Sequence, residues 1–391
     1  MRDYITAAEE GLVHTYNRFP VVLERGEGVY LYDTEGKKYL DFAAGIAVCG
    51  LGYGNQELNR ALKDQIDALV HTSNLYYNTT CGKAAEALKK AAGMDRVFFT
   101  NSGTEAIEGA LKAARKYAWQ KGNGRFEFIA MEDSFHGRSM GAVSVTGTEN
   151  YRTPFEPLIP GVRFAKFNDL SSVEALVNDK TCAIILEPVQ GEGGINMASG
   201  EFMEGIRKLC DEKDILMICD EIQCGMGRTG SMFAWQSYGT RPDIMAMAKA
   251  IGSGVPVGAF AMTEKVAEAS LKPGDHGSTY GGNPLVCAAV VKTLELFEKY
   301  GIVDHVRQMG EYLSQRLNEL ADSCDTVIQR KGTGLIQGVE VAKPVGEVTA
   351  NALREGLLII SAKGNVLRFV PPLVIEKIHI DEMIEKLKKA L

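Results

Sequence analysis

CAIILEP (residues 182–188), ILMICDE (215–221) and DIMAMAK (243–249) are short apolar runs, and each reaches a charged residue as it ends. RVFFTN (96–101) and FEFIAME (126–132) are further short apolar runs, ending in asparagine and glutamate. Runs of this length read as buried strands. The segments between them carry helical spacing. In TEAIEGALKAARKYAWQ (104–120), Ile107, Leu111, Ala114 and Ala118 fall on one face, as the apolar stripe of a helix requires. Strands that alternate with helices predict an α/β fold with a largely parallel sheet.

Outward from this core the pattern changes at both ends. VVLERGEGVYLYDTEGKKYLDFAAG (21–45) reads as short strands with D-T-E-G as a turn, and QELNRALKDQIDAL (56–69) begins the helical spacing. After NPLVCAAVVKTLELFEKYG (283–301), a helix, the tail mixes strands and helices up to the amphipathic IDEMIEKLKKAL (380–391). The expected organisation is a large domain over 56–285 and a small α+β domain over 286–391, joined by the N-terminal segment 1–55.

Composition narrows the function classes. The chain has 391 residues, 43 Lys+Arg against 50 Asp+Glu for a formal charge of −7, 45% hydrophobic and 24% charged residues. These are ordinary values for a globular protein, and mild acidity leaves no nucleic-acid footprint. The N-terminal MRDYITAAEEGLVH lacks the apolar core of a signal peptide. No apolar stretch approaches the roughly 18 residues of a membrane span. The eight cysteines show no C-x-x-C pair and no zinc spacing, so reduced thiols in a cytoplasmic enzyme without a metal are expected.

The strand runs bring polar residues to their carboxyl ends: Asn101-Ser102, Asp133-Ser134-Phe135-His136, Glu187, Asp220-Glu221 and Lys249. Open α/β sheets bind ligands there. Ser102, Gly103 and Thr104 open a helix, where free N–H groups, hydroxyls and the helix dipole favour a phosphate. An ordinary N-cap would use the same residues. Gly225-Met226-Gly227-Arg228-Thr229-Gly230 matches G-x-G-x-x-G, but Glu221, Ile222, Gln223 and Cys224 separate it from its strand. SMFAWQSYG (231–239) is also a poor helix, so a dinucleotide site is not expected. Lys249 at a strand end can be a desolvated Schiff-base nucleophile. Asp220 can face a cationic ring nitrogen, and Phe135 can stack on the ring. Taken singly, these are a surface lysine, a strand-end acid and a core aromatic. Taken together with a phosphate cup, they are the set that pyridoxal phosphate needs.

These residues lie in motifs that resemble a known family. ICDEIQCGMGRTG (218–230) followed by RPDIMAMAKAIGSG (241–254) is similar to the signature of the class III, or ω-amino acid, pyridoxal phosphate aminotransferases. NRFPVV (17–22), GIAV (45–48), NSGTEA (101–106), SFHGR (134–138), LEPVQGEGG (186–194), HGSTYGGNP (276–284) and LRFVPPL (367–373) match in order, so the resemblance covers nearly the whole chain. It implies the type I fold of pyridoxal phosphate transferases, with a mostly parallel sheet in a large domain, a smaller α+β domain, and a homodimer with shared active sites. It implies Lys249 as the Schiff-base lysine and proton-moving base, and Asp220 at the pyridinium nitrogen. Phe135 and Ile222 would cover the ring faces, and Gln223 would meet the phenolic oxygen. Ser102, Gly103 and Thr104 would hold the phosphate, with Ser278 and Thr279 reaching it from the neighbouring subunit.

The resemblance also implies how substrates are told apart. Arg138 would hold the α-carboxylate of an ω-amine donor and the distal carboxylate of glutamate. Arg368 would hold the α-carboxylate of glutamate or 2-oxoglutarate, and Glu192 would cover Arg368 while the donor reacts. Glu187 would be a structural partner near the cofactor. Tyr16 and Asn17 would line the mouth with Ile46, which stands where ornithine δ-transaminases carry tyrosine. An aliphatic residue there suits an acylated donor and points to N2-acetylornithine, in arginine biosynthesis. Succinylornithine, succinyl-diaminopimelate and ornithine stay open as donors. An aminomutase on the same fold also stays open, since it would not need Glu192 and Arg368. Two positions depart from the family pattern: Tyr53 replaces the histidine of an LGH-type motif, and Ile107 replaces the asparagine of GTEAN.

Overall fold

In the computed structural model, which describes residues 4–391, the apolar runs become strands of one sheet. Three short strands come first: β1 (Leu23–Glu27), β2 (Tyr30–Asp33) and β3 (Lys38–Asp41). The central region supplies β4 (Arg96–Thr100), β5 (Glu127–Met131), β6 (Val162–Ala165) and β7 (Thr181–Leu186). A two-residue pair follows, β8 (Val189–Gln190) and β9 (Asn196–Met197), then β10 (Leu216–Asp220), β11 (Ile244–Met247) and β12 (Gly258–Met262). Seven strands form the central sheet in the order β4-β12-β11-β10-β7-β5-β6. All neighbours pair in parallel except β12, which runs antiparallel to both β11 and β4.

The sheet is buried on both faces, which is why its strands read as unbroken apolar runs instead of alternating ones. Ile185, Ile218 and Ala246 point to one face, against Ile107, Leu111, Ala114 and Ala118 of the helix Gly103–Gln120. Ile184, Met217 and Cys219 point to the other, against Phe202, Met203 and Ile206 of the helix Gly200–Lys213. The first helix begins at Ser102, whose hydroxyl accepts the Glu105 N–H at 3.3 Å. It lies hard on the sheet: a Cβ at Gly109 would come within 2.2 Å of the Phe260 ring on β12.

The C-terminal part adds β13 (Val327–Thr333), β14 (Ile336–Val341), β15 (Leu357–Leu358), β16 (Ile360–Ala362) and β17 (Val366–Phe369). Four of these make an antiparallel sheet in the order β13-β14-β17-β16. The remaining one, β15, leaves that sheet and pairs in parallel with β3, completing the N-terminal sheet β1-β2-β3-β15. Tyr30 on β2 also donates to Glu382 of the last helix at 2.8 Å. Two central strands escape the sequence reading. β6 is a four-residue edge strand with an exposed arginine, Arg163, and β12 begins at the last residue of AIGSGVPVG (250–258), which reads only as a flexible loop.

Candidate active site

β10 and β11 end side by side in parallel register, Asp220 opposite Ala246. Lys249 starts the turn just beyond β11 at φ 51°, a left-handed backbone that strains a residue with a side chain. Desolvation pushes its amine below the ordinary lysine pKa. The charges of Glu192, Asp220 and Glu187 oppose that shift, and the charge of Arg368 adds to it. Lys249 therefore carries more neutral amine than a surface lysine at the same pH.

Asp220 is 3% exposed, with both carboxylate oxygens engaged. One accepts the Ile222 N–H at 3.0 Å, and the other lies 2.8 Å from Nδ1 of His136, itself buried. Burial opposes charge on His136. The Asp220 hydrogen bond and charge, with a smaller contribution from Glu187, outweigh it and hold the imidazole above its ordinary pKa. Nε2 of His136 is buried without a partner among the described residues. Glu187 sits behind this pair, accepting the Phe135 N–H at 2.9 Å, and burial pushes its carboxyl up to about 7. Glu221 is pushed by burial to the same value while it accepts the N–H groups of Ala234 and Trp235, so its role is to hold that turn.

Ser102, Gly103 and Thr104 open the long helix, whose first-turn N–H groups have no partner inside the helix. Gly103 lets Ile222 lie close against the helix start, since a Cβ there would come within 2.8 Å of Cδ1 of Ile222 and push that side chain aside. Thr104 Oγ1 lies 2.9 Å from Ser139 Oγ and accepts the Ser139 N–H at 3.3 Å, which ties this helix start to the loop bearing Phe135, His136 and Arg138.

Ser102, Gly103, Thr104, Phe135, His136, Arg138, Glu187, Asp220, Ile222, Gln223 and Lys249 line one cavity of about 500 Å3, with Val48 and residues 254–257 closing it. Arg138 is exposed and unpaired with any carboxylate among the described residues; its guanidinium lies over the rings of Tyr151 (3.8 Å) and Phe135 (5.3 Å). Arg368 on β17 is 2% exposed, and its Nη1 donates to Glu192 at 2.7 Å and to Gln223 at 3.0 Å. Gln223 thus belongs to the cavity wall and to the arginine–glutamate pair at once. Nε of Arg368 has no partner among the described residues.

Arg368 and Glu192 lie behind this lining and meet it through Gln223, and Tyr16 (70% exposed), Asn17, Ile46 (45% exposed), Ser278 and Thr279 lie outside it as well. Ser278 Oγ accepts from Asn101 at 3.1 Å, beside the helix start, while Thr279 is exposed. The sequence reading assigned His136 no role of its own, although its place next to Phe135 in a strand-end loop was a usable signal. It also passed over Val48 and residues 254–257, whose small apolar side chains carry no signal. The cavity suits a flat cationic ring bearing a phosphate. Asp220 supplies the buried anion, the open helix start supplies donors, and Ile222 and Phe135 supply apolar surface.

The comparisons agree with this chemistry. The family model described as Aminotransferase class-III matches residues 12–391. An acetylornithine aminotransferase of Aquifex aeolicus is 46% identical over 381 residues, covering 97% of this chain and 99% of the relative. Another, of Archaeoglobus fulgidus, is 47% identical over 383 residues, covering 98% and 99%. A structure of the ornithine aminotransferase from Toxoplasma gondii, with pyridoxal phosphate partly occupying its active site, aligns with a TM-score of 0.93 at 31% identity, covering 99% of this chain and 93% of that one. With its cavity at the carboxyl ends of a mostly parallel sheet, the chain belongs to the class III aminotransferases.

Proposed function

We propose that the chain is a homodimeric cytoplasmic enzyme that uses pyridoxal phosphate to move the δ-amino group of N2-acetylornithine to 2-oxoglutarate, giving N-acetylglutamate 5-semialdehyde and glutamate. One observation carries this reading. A desolvated lysine and a buried Asp220–His136 pair face a single cavity, and Gln223 joins its wall to the buried Arg368–Glu192 pair. The acetylornithine aminotransferases that match nearly end to end support the choice of donor.

When bound, the cofactor supplies an electron sink for the carbanion formed at the amine-bearing carbon. Lys249 Nζ, partly neutral through desolvation, takes the proton from that carbon and later returns one. Asp220, held by His136, keeps a ring nitrogen protonated. Ser102, Gly103 and Thr104 bind the phosphate, and Ser278 and Thr279 do so across the subunit interface. Phe135 and Ile222 would cover the ring faces, while Gln223 would hold the phenolic oxygen. Arg138 receives the α-carboxylate of the donor. Glu192 releases Arg368 when glutamate or 2-oxoglutarate arrives, so one site serves two unlike substrates by forming and breaking one ion pair. Ile46 and Tyr16 give the acyl group an apolar mouth. The exposed Leu75 (86%), Tyr76 (72%), Tyr77 (107%) and Tyr280 (62%) support a second subunit, since exposed apolar patches mark contact surfaces.

Borohydride treatment of the holoenzyme is expected to fix cofactor mass on the peptide containing Lys249; a label elsewhere refutes the lysine assignment. Single-turnover spectra with a panel of ω-amines test the donor. Acetylornithine is expected to react fastest, and a faster reaction with free ornithine refutes that choice.

A further inference from the structure

Between Asp41 and Tyr53 the chain makes a turn that L-residues avoid. Ala44, Gly45, Ile46 and Ala47 follow one another at φ 48°, 64°, 66° and 64°, a left-handed conformation in which Cβ crowds the next carbonyl oxygen. Three side-chain-bearing residues persist there only if their surroundings hold them. Asp41, 1% exposed, is the holder. Its Oδ1 accepts the N–H groups of Ala43 (2.8 Å) and Ala44 (3.0 Å) at the entry of the turn, and its Oδ2 accepts the Tyr53 hydroxyl at 2.5 Å beyond the exit.

The turn touches the elements that carry the chemistry. Ala47 packs in one cluster with Val189 and Ile195, on either side of Glu192, and with Val366 and Val370, on either side of Arg368. Val48 lines the cavity. The Phe42 carbonyl accepts the Val370 N–H at 2.8 Å, and Leu51 N–H donates to Ser253, in the loop after Lys249, at 3.0 Å. Tyr53 itself does not line the cavity.

We propose that Tyr53 is a positioning residue for the amine donor: by holding Asp41 it keeps the Ala44–Ala47 turn left-handed, and the turn places Ile46 and Val48. This rests on the substrate reading above for the identity of the donor and for Ile46 at its mouth. The departure from histidine at position 53 thereby acquires a role, a hydroxyl of the right reach for a buried carboxylate.

Tyr53→Phe keeps the ring that packs over Gly26, where a Cβ would lie 2.6 Å from Tyr53 Cγ, and removes only the hydroxyl. In the holoenzyme its donor half-reaction is expected to lose about tenfold in kcat/KM, through KM, the size of one hydrogen bond to a charged group. The glutamate half-reaction and the cofactor absorbance are expected to stay within about twofold, because Arg368 keeps its own bonds to Glu192, Gln223 and the Ser361 carbonyl. Ala44→Gly, which adopts the left-handed backbone without steric cost, is expected to restore the donor KM in the Tyr53→Phe background. Equal loss in both half-reactions, no loss in either, or failure of Ala44→Gly to restore KM overturns the proposal. Should Tyr53→Phe not accumulate as holoenzyme, Asp41→Asn is measured instead; donor-selective loss supports the proposal and equal loss overturns it. A wild-type enzyme that ignores acetylornithine but accepts another ω-amine refutes the substrate reading alone, because the same comparison then runs with that amine.

Discussion

Among the described residues, His136 has one ring nitrogen on Asp220 and the other buried without a partner, so the polar contribution of its ring hangs on a single contact. Removing it strands a carboxylate that is 3% exposed. His136→Phe is expected to destabilise the apoenzyme by about 3 kcal/mol, the lower end for breaking a buried pair. The pH dependence has a definite sign. The folded pKa of His136 is raised above 6.5, so its stabilisation is full below that value and is lost as pH rises through the folded pKa. Urea midpoints of wild type and His136→Phe are thus expected to lie further apart at about pH 6 than at about pH 9; a gap that widens with pH would contradict the assignment. The sequence showed this histidine beside Phe135 but not its partner, because Asp220 is 84 residues away and only the sheet order brings the two together.

At the scale of elements, the helix Gly103–Gln120 was legible in full. Its stripe is strongly periodic, and a Ser at the cap with Glu three residues on is a start signal that needs no tertiary context. Strand β12 was not legible, because GAFAM (258–262) is small, short and preceded by glycines, and its burial comes from being pressed under that helix. The same contact yields a prediction. Alanine favours a helix over glycine by about 1 kcal/mol, yet Gly109→Ala would drive a methyl into the Phe260 ring. The variant is expected to be less stable than wild type by about 1–3 kcal/mol in thermal or urea unfolding, as overpacked cores are. A gain in stability would show that the helix can lift from the sheet. Site residues separated in the same way: Lys249, Asp220 and Ser102 are strand-end residues that the fold gathers automatically. Tyr16, Ile46 and Thr279 are exposed and Ser278 half-buried, all outside the cavity lining, and no strand end fixes where they fall.

At the scale of the whole molecule, the proposed dimer makes Tyr76 and Tyr77 the residues to change. Tyr76→Asp with Tyr77→Asp is expected to shift sedimentation from dimer toward monomer and to lower activity in proportion, if phosphate binding is completed across the interface. Full activity in a monomer would refute the shared site. The small C-terminal region is stitched to the first strands by contacts very far apart in sequence: Lys37 to the Arg354 carbonyl across 317 positions and Tyr30 to Glu382 across 352. Strand β15, pairing Leu357 with Leu40, closes the N-terminal sheet. During synthesis on a ribosome, β1 to β3 emerge long before the strand that completes them. For that interval they form an open-edged meander of the kind that pairs with other chains. A strand made late therefore protects strands made early, and a nascent chain stalled before residue 357 carries that edge uncovered.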